Sequence, residues 1–171
     1  MGGHYVCYAS LDVIGDPEQS WANYKEMTDA GLHPIPTVHD GSSVEWIKKY
    51  CDQGVRYIAL GGLTGSLGER RYKFLDQAFS VLRAYWPIKV HAFGVGYDVK
   101  VLLRYPFYSS DSTSWLRHAR FFQPEEKTPY GEMQIRAMKP IERVALGVKP
   151  MLEQEKLVTD VWTKRGITWD E

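Results

Sequence analysis

The sequence predicts an α/β domain built on a parallel sheet, and three observations carry that prediction. Short runs rich in β-branched and aromatic residues alternate with segments of helical period, the rhythm of repeated βα units. Residues 57–60 are almost continuously apolar, as a strand covered on both faces requires. Polar or glycine-rich residues follow one run after another, as expected where several loops share a site at the carboxyl edge of a parallel sheet.

Taken in chain order, the strand runs are residues 5–11, 34–39, 55–60, 88–93 and, less sharply, 107–110. A helix is expected over 20–30, where Trp21, Tyr24 and Met27 recur on one face and Gly31 ends the pattern. Ser43 offers a cap for a second helix with Val44, Ile47 and Cys51 facing inward and Gly54 at its end. The third, over 71–85, has a broad apolar face of Phe74, Leu75, Ala78, Phe79, Leu82 and Ala84 and stops before Pro87. From about 117 to 140 charge, Pro124, Pro129 and Gly131 mix without a period, which predicts a loop or lid, and a last helix is expected near 151–164. The organisation is thus a βα segment over 1–116 and a loop-and-helix extension over 117–171 packed on the same domain.

At 171 residues, with 44% hydrophobic and 25% charged residues, the chain has the composition of a globular domain able to bury a core without a staple. Cys7 and Cys51 lie far apart with no C-x-x-C spacing, which predicts reduced thiols or buried small residues. The formal charge balances at 21 basic and 21 acidic residues, so any polyanion site has to be local. Apolar runs are of strand length, far short of the roughly 20 residues that span a bilayer. The expectation is a cytoplasmic protein with no membrane partner.

Asp111 follows the last strand run within Ser109-Ser110-Asp111-Ser112-Thr113. It reads either as a turn or N-cap aspartate or as a carboxylate nucleophile at a strand end, able to form a covalent bond to a sugar carbon. Asp12, after Ala9-Ser10-Leu11, offers the same choice. Gly61 and Gly62 form a tight turn or let a ligand approach bare backbone. Gly94-Val95-Gly96 lacks the third glycine of the dinucleotide fingerprint, so no nucleotide cofactor is expected. His39-Asp40 is a polar pair at a turn or a proton-transfer pair. Arg70, Arg71 and Lys73, and Arg117, His118 and Arg120, read as solvated faces, yet both groups follow carboxyl-end loops, where a phosphate backbone would lie.

In their order and spacing Asp12, Val38-His39-Asp40-Gly41, Ala59-Leu60-Gly61-Gly62-Leu63, His91-Ala92-Phe93-Gly94-Val95-Gly96 and Ser110-Asp111-Ser112 resemble the later strands of the tRNA-guanine transglycosylases, and more closely the phage and bacterial relatives that insert 7-deazaguanines into DNA. The likeness covers about residues 5–116, and residues 161–169 are similar to the ends of the phage proteins. It implies an α/β fold that is a partial (β/α) barrel of TIM type with parallel strands and a C-terminal helical extension. It also implies a base-exchange reaction on DNA or tRNA in which guanine is replaced by a 7-deazaguanine.

Under that resemblance Asp111 is the nucleophile, while Asp12 reads the guanine edge. Gly61, Gly62 and Leu63 meet the base through backbone, and Phe93, beside Gly94, stacks on it. His39 stands where the tRNA enzymes carry glutamine. Arg70, Arg71, Arg117 and Arg120 would meet phosphates.

Two departures from the family are visible in the sequence. Its zinc site needs three closely spaced cysteines and a histidine, which this chain lacks, so no metal is expected. The barrel has eight strands, and the first two, with a general-base aspartate, have no counterpart before Tyr5. A second chain supplies them, two copies share a barrel, or the chain is a noncatalytic nucleic-acid- or protein-binding remnant.

Overall fold

The computed structural model describes residues 7–64, 68–96, 98–111 and 139–169. Helix α1 (Pro17–Asp29) begins where Asp16 accepts the Gln19 N–H at 2.9 Å and proline takes the first helical position. That start lies ahead of the one expected at residue 20, because an aspartate followed by proline outweighs the periodicity. Strand β1 (Thr37–His39) leads to α2 (Glu45–Asp52), whose Ile47, Tyr50 and Cys51 are buried. Strand β2 (Tyr57–Gly61) precedes α3 (Glu69–Leu82), which tightens into a 3₁₀ turn over Arg83–Tyr85. After β3 (Lys89–Ala92) comes α4 (Val99–Arg104), a helix the sequence reading did not separate from its loop. Asp98 caps it by accepting the Val101 N–H at 3.2 Å. Strand β4 (Ser109–Ser110) completes the sheet, and α5 (Pro140–Lys164) forms the extension.

The four strands form one sheet in the order β1-β2-β3-β4, every pair parallel. Of the run expected over 5–11, the described residues 7–11 form a bridge between Ala9 and Ile35, closed by Ser10 N–H to Ile35 O at 2.9 Å and Ile35 N–H to Tyr8 O at 2.8 Å. Side chains alternate across a strand. Val38, Ile58, Leu60, Val90 and Ala92 accordingly share one face and join the core with Ile47, Leu75, Leu82 and Val101 from the helices. Burial of each large member contributes about 1.5–3 kcal/mol.

Helix α5 begins well before residue 151, where the periodicity placed it. Its Lys139 N–H is met by the Glu142 carboxylate at 2.7 Å. Farther along, Trp162 donates its indole N–H to Leu102 O at 2.8 Å and Arg165 donates to Leu103 O at 2.5 Å. Those carbonyls belong to the last turn of α4, where no intrahelical donor is left for them. The extension therefore completes α4 as well as packing on it. Among the described residues no helix is long and apolar enough to cross a membrane.

Candidate functional site

Parallel pairing brings the strand ends to one edge. His39 is in register with Gly61, Phe93 donates its N–H to Leu60 O at 3.0 Å, and Asp111 donates its N–H to Ala92 O at 3.4 Å. His39, Gly61, Phe93 and Asp111 thus form a row along the carboxyl edge, and Asp12 reaches the row from the far side by pairing with His39.

Asp111 is held by the turn after β3. Gly94 donates its N–H to Asp111 Oδ1 at 2.7 Å, and Gly96 donates to the Asp111 carbonyl at 3.1 Å. The Gly94-Val95-Gly96 turn thus aims its amides at an aspartate of the same chain. Gly94 has φ +74°, and a Cβ there would lie 2.2 Å from Thr64 Cγ2, so both conformation and space require glycine. His91 Nε2 lies 3.6 Å from the same Oδ1. Among the described residues nothing engages Asp111 Oδ2, and the side chain is 54% exposed.

The sheet face opposite the core carries a polar row. Tyr57 Oη and Ser109 Oγ are 2.6 Å apart, and Ser109 Oγ lies 2.7 Å from His91 Nδ1. The His91 ring is fixed from another side by Phe93, edge to face with centroids 4.5 Å apart. Burial pushes the imidazole below its usual range, and the neighbouring Asp111 carboxylate acts against that shift. Burial likewise raises the Tyr57 phenol, with the Ser109 hydrogen bond opposing.

At the other end of the row the 11–13 segment is tied to α1. Asn23 donates to Leu11 O at 3.0 Å, and the Val13 N–H is accepted by the buried Ser20 hydroxyl at 2.8 Å. These contacts set Asp12 against His39, whose ring packs over Gly61. A Cβ on Gly61 would fall 2.5 Å from His39 Nδ1, and one on Gly62 3.2 Å from Asp40 N. The glycine pair therefore makes room for the His39-Asp40 turn, and the Gly61 carbonyl accepts the Asp40 N–H at 3.0 Å. Leu63 is 1% exposed over the whole residue and belongs to the core, and Gly61 is buried at the end of β2, so of the three only Gly62 lies open at the surface.

The arginines have different placements. Arg70 is 69% exposed, with Nε 3.0 Å from Asp40 Oδ2. Arg71 is 12% exposed and pairs with Asp98, joining α3 to the start of α4. Arg117 and Arg120 lie outside the described residues, as do Ser112 and most of the expected lid. Among the described residues no group of three or more His, Cys, Asp or Glu is placed to hold a metal ion. Cys7 is exposed, Cys51 is buried and both are free thiols; burial pushes Cys51 up to about 11.

Sequence reasoning passed over Tyr57, His91 and Ser109 as site residues. The signal was a polar residue at the same phase of three otherwise apolar or short strands, visible once the register is known. Compared with family models, with curated proteins and with solved structures, the chain matches none.

Proposed function

We propose that this chain is a base-exchange transglycosylase-like protein that replaces guanine in DNA or tRNA with a 7-deazaguanine, using Asp111 as nucleophile. The observation that carries the reading is the state of the Asp111 carboxylate. Oδ1 is engaged by the Gly94 amide and faced by His91, while Oδ2 has no partner among the described residues. A carboxylate held at one oxygen presents the other in a fixed direction, as attack on a sugar carbon requires.

In the first step Oδ2 bonds to the anomeric carbon as the glycosidic C–N bond breaks, its electron pair leaving with guanine, which takes a proton. In the second, N9 of the incoming base bonds to that carbon and loses its proton, while the C–O bond to Asp111 breaks and the carboxylate returns. Two displacements retain the configuration, and the developing oxocarbenium character is stabilised by the same carboxylate.

The consecutive order β1-β2-β3-β4 supports the finer architectural reading, a partial (β/α) barrel with the site at its carboxyl end. Thin pairing at both ends among the described residues, a single bridge before β1 and a two-residue β4, fits a barrel completed by a second chain or a second copy. Phe93 and Gly94 would border the base, with Asp12 and His39 at its edge and Arg70 nearest the backbone phosphates.

One observation favours a second reading, a noncatalytic nucleic-acid- or protein-binding module. Asp12 is paired with His39 beyond β1, at the end of the row away from Asp111, so it does not stand beside the nucleophile as a base.

The deciding experiment is incorporation of labelled guanine or 7-cyano-7-deazaguanine into duplex DNA and tRNA by the purified chain. Incorporation is expected to fall on the order of 10³-fold or more in Asp111→Asn. Binding of nucleic acid without incorporation, unchanged in that variant, establishes the second reading.

A further inference from the structure

The polar row behind Asp111 has a direction. A serine hydroxyl has one proton to donate, and Ser109 Oγ has two partners, Tyr57 Oη at 2.6 Å and His91 Nδ1 at 2.7 Å. For a neutral imidazole the arrangements that satisfy both bonds are of two kinds, set by which ring nitrogen carries the proton. In one, Tyr57 donates to Ser109 and Ser109 donates to Nδ1, which places the remaining ring proton on Nε2. In the other, Nδ1–H donates to Ser109, which either donates to Tyr57 or accepts from it as well, and in both cases a lone pair is left on Nε2.

Nε2 faces Asp111 Oδ1 at 3.6 Å. A lone pair there would repel an ionised carboxylate, whereas an N–H is attracted to it, so Asp111 favours the first arrangement and the Ser109 proton on Nδ1 holds the ring in it. Burial keeps the imidazole neutral and the phenol protonated, the states that arrangement needs. His91 and Ser109 are directly in register, and Tyr57 spans from β2 to β4 on the same face, so the chain is built into three strands rather than a loop.

We propose that Tyr57 and Ser109 are positioning residues, which hold His91 in the Nε2–H tautomer so that this N–H and the Gly94 amide together fix Asp111 Oδ1 and leave Oδ2 to react. The inference rests on the reading of Asp111 as nucleophile. At 3.6 Å the attraction between Nε2–H and Oδ1 is electrostatic, a little beyond hydrogen-bond length.

The test has two readouts on the full chain. Long-range ¹H–¹⁵N spectra of the His91 ring, recorded at neutral pH, report its tautomer without any substrate. The Nε2–H form is expected in the unmodified protein. Ser109→Ala should give a tautomer mixture, and Ser109→Thr, which keeps the hydroxyl, should restore the single form. Tyr57→Phe, which removes only the end of the chain, should give a smaller change and serves if Ser109→Ala does not fold.

In base exchange, Ser109→Ala is expected to lower kcat by between about tenfold and a hundredfold with KM unchanged. An Nδ1–H tautomer in the unmodified protein, or a tautomer indifferent to Ser109→Ala, overturns the proposal. The predicted tautomers together with no base exchange by any variant would sink the transglycosylase reading while leaving the chain's hold on Asp111 established.

Discussion

On the helix-covered face of the sheet, Val38, Ile58, Leu60, Val90 and Ala92 are at most 3% exposed and belong to the hydrophobic core. One residue away along each strand, the opposite face carries Thr37, His39, Tyr57, Ala59, His91 and Ser109. The first face works by volume and has no preferred chemistry beyond size and shape. On the second, Tyr57, Ser109 and His91 work by hydrogen-bond geometry, where each partner decides what the next can do. A parallel sheet covered by helices on one side thus leaves its other side free to hold chemistry, and period-two alternation lets both be written into the same few residues.

The sharpest way to break that contrast is one substitution on each face. Leu60→Ala, at 0% exposure in the central strand β2, should cost 2–5 kcal/mol, the typical range for a buried leucine, about ~24 cal/mol for every cubic ångström of cavity that does not collapse. Tyr57→Phe on the same strand loses one hydroxyl hydrogen bond and should cost about 1 kcal/mol, because Ser109 keeps His91 as a partner. Urea unfolding monitored by tryptophan fluorescence gives both numbers. Equal costs would mean that the polar face is as much a packed core as the apolar one.

An effect between those two is expected at the turn that holds Asp111. Gly94→Ala has to accept φ +74° and push Thr64 Cγ2 away from a Cβ placed 2.2 Å from it. The conformational part costs about 1–2 kcal/mol, and the clash adds to it. Thr64→Ser removes Cγ2, so the double variant should recover the clash and keep the conformational cost. Full recovery in the thermal midpoint would show that space alone selects glycine at this position.

The apolar face was far more legible in the sequence than the polar one. Runs of Val, Ile, Leu and Ala announce a parallel strand, and the expected runs over 55–60 and 88–93 agree with β2 and β3 to within two residues at each end. Helix ends were less legible because a cap is a single contact: Asp16 starts α1 before the periodic pattern begins, and Asp98 starts a six-residue α4 too short to show a period. The row of strand ends carrying Asp12, His39, Gly61, Phe93 and Asp111 followed from the βα rhythm. Its internal bonds did not. That Gly94 would serve Asp111, that Gly61 would make room for His39, and that Tyr57 would reach Ser109 across β3 all depend on register and on side-chain reach.

The smallest effect expected is a pH dependence carried by His91. Burial lowers its folded-state pKa below the model-peptide value of 6.5, with Asp111 opposing. The unfolded chain therefore takes up this proton first as pH falls, and stability from neutral His91 is present above pH 6.5 and lost as pH falls through and below that value. The groups facing the ring are Asp111, Ser109, Tyr57 and Phe93, with Lys89 on the same strand and face, its ammonium 4.7 Å from the Tyr108 ring centroid. The informative quantity is the difference between the unmodified protein and His91→Gln, followed by urea unfolding from about pH 7.5 to about pH 5. That difference should shrink on acidification. In Asp111→Asn the opposing carboxylate is gone, so the folded-state pKa drops further and the acid loss should deepen. A loss that instead became shallower would mean that the Asp111 charge does not reach the ring, and the polar face would then be a set of separate bonds rather than one connected device.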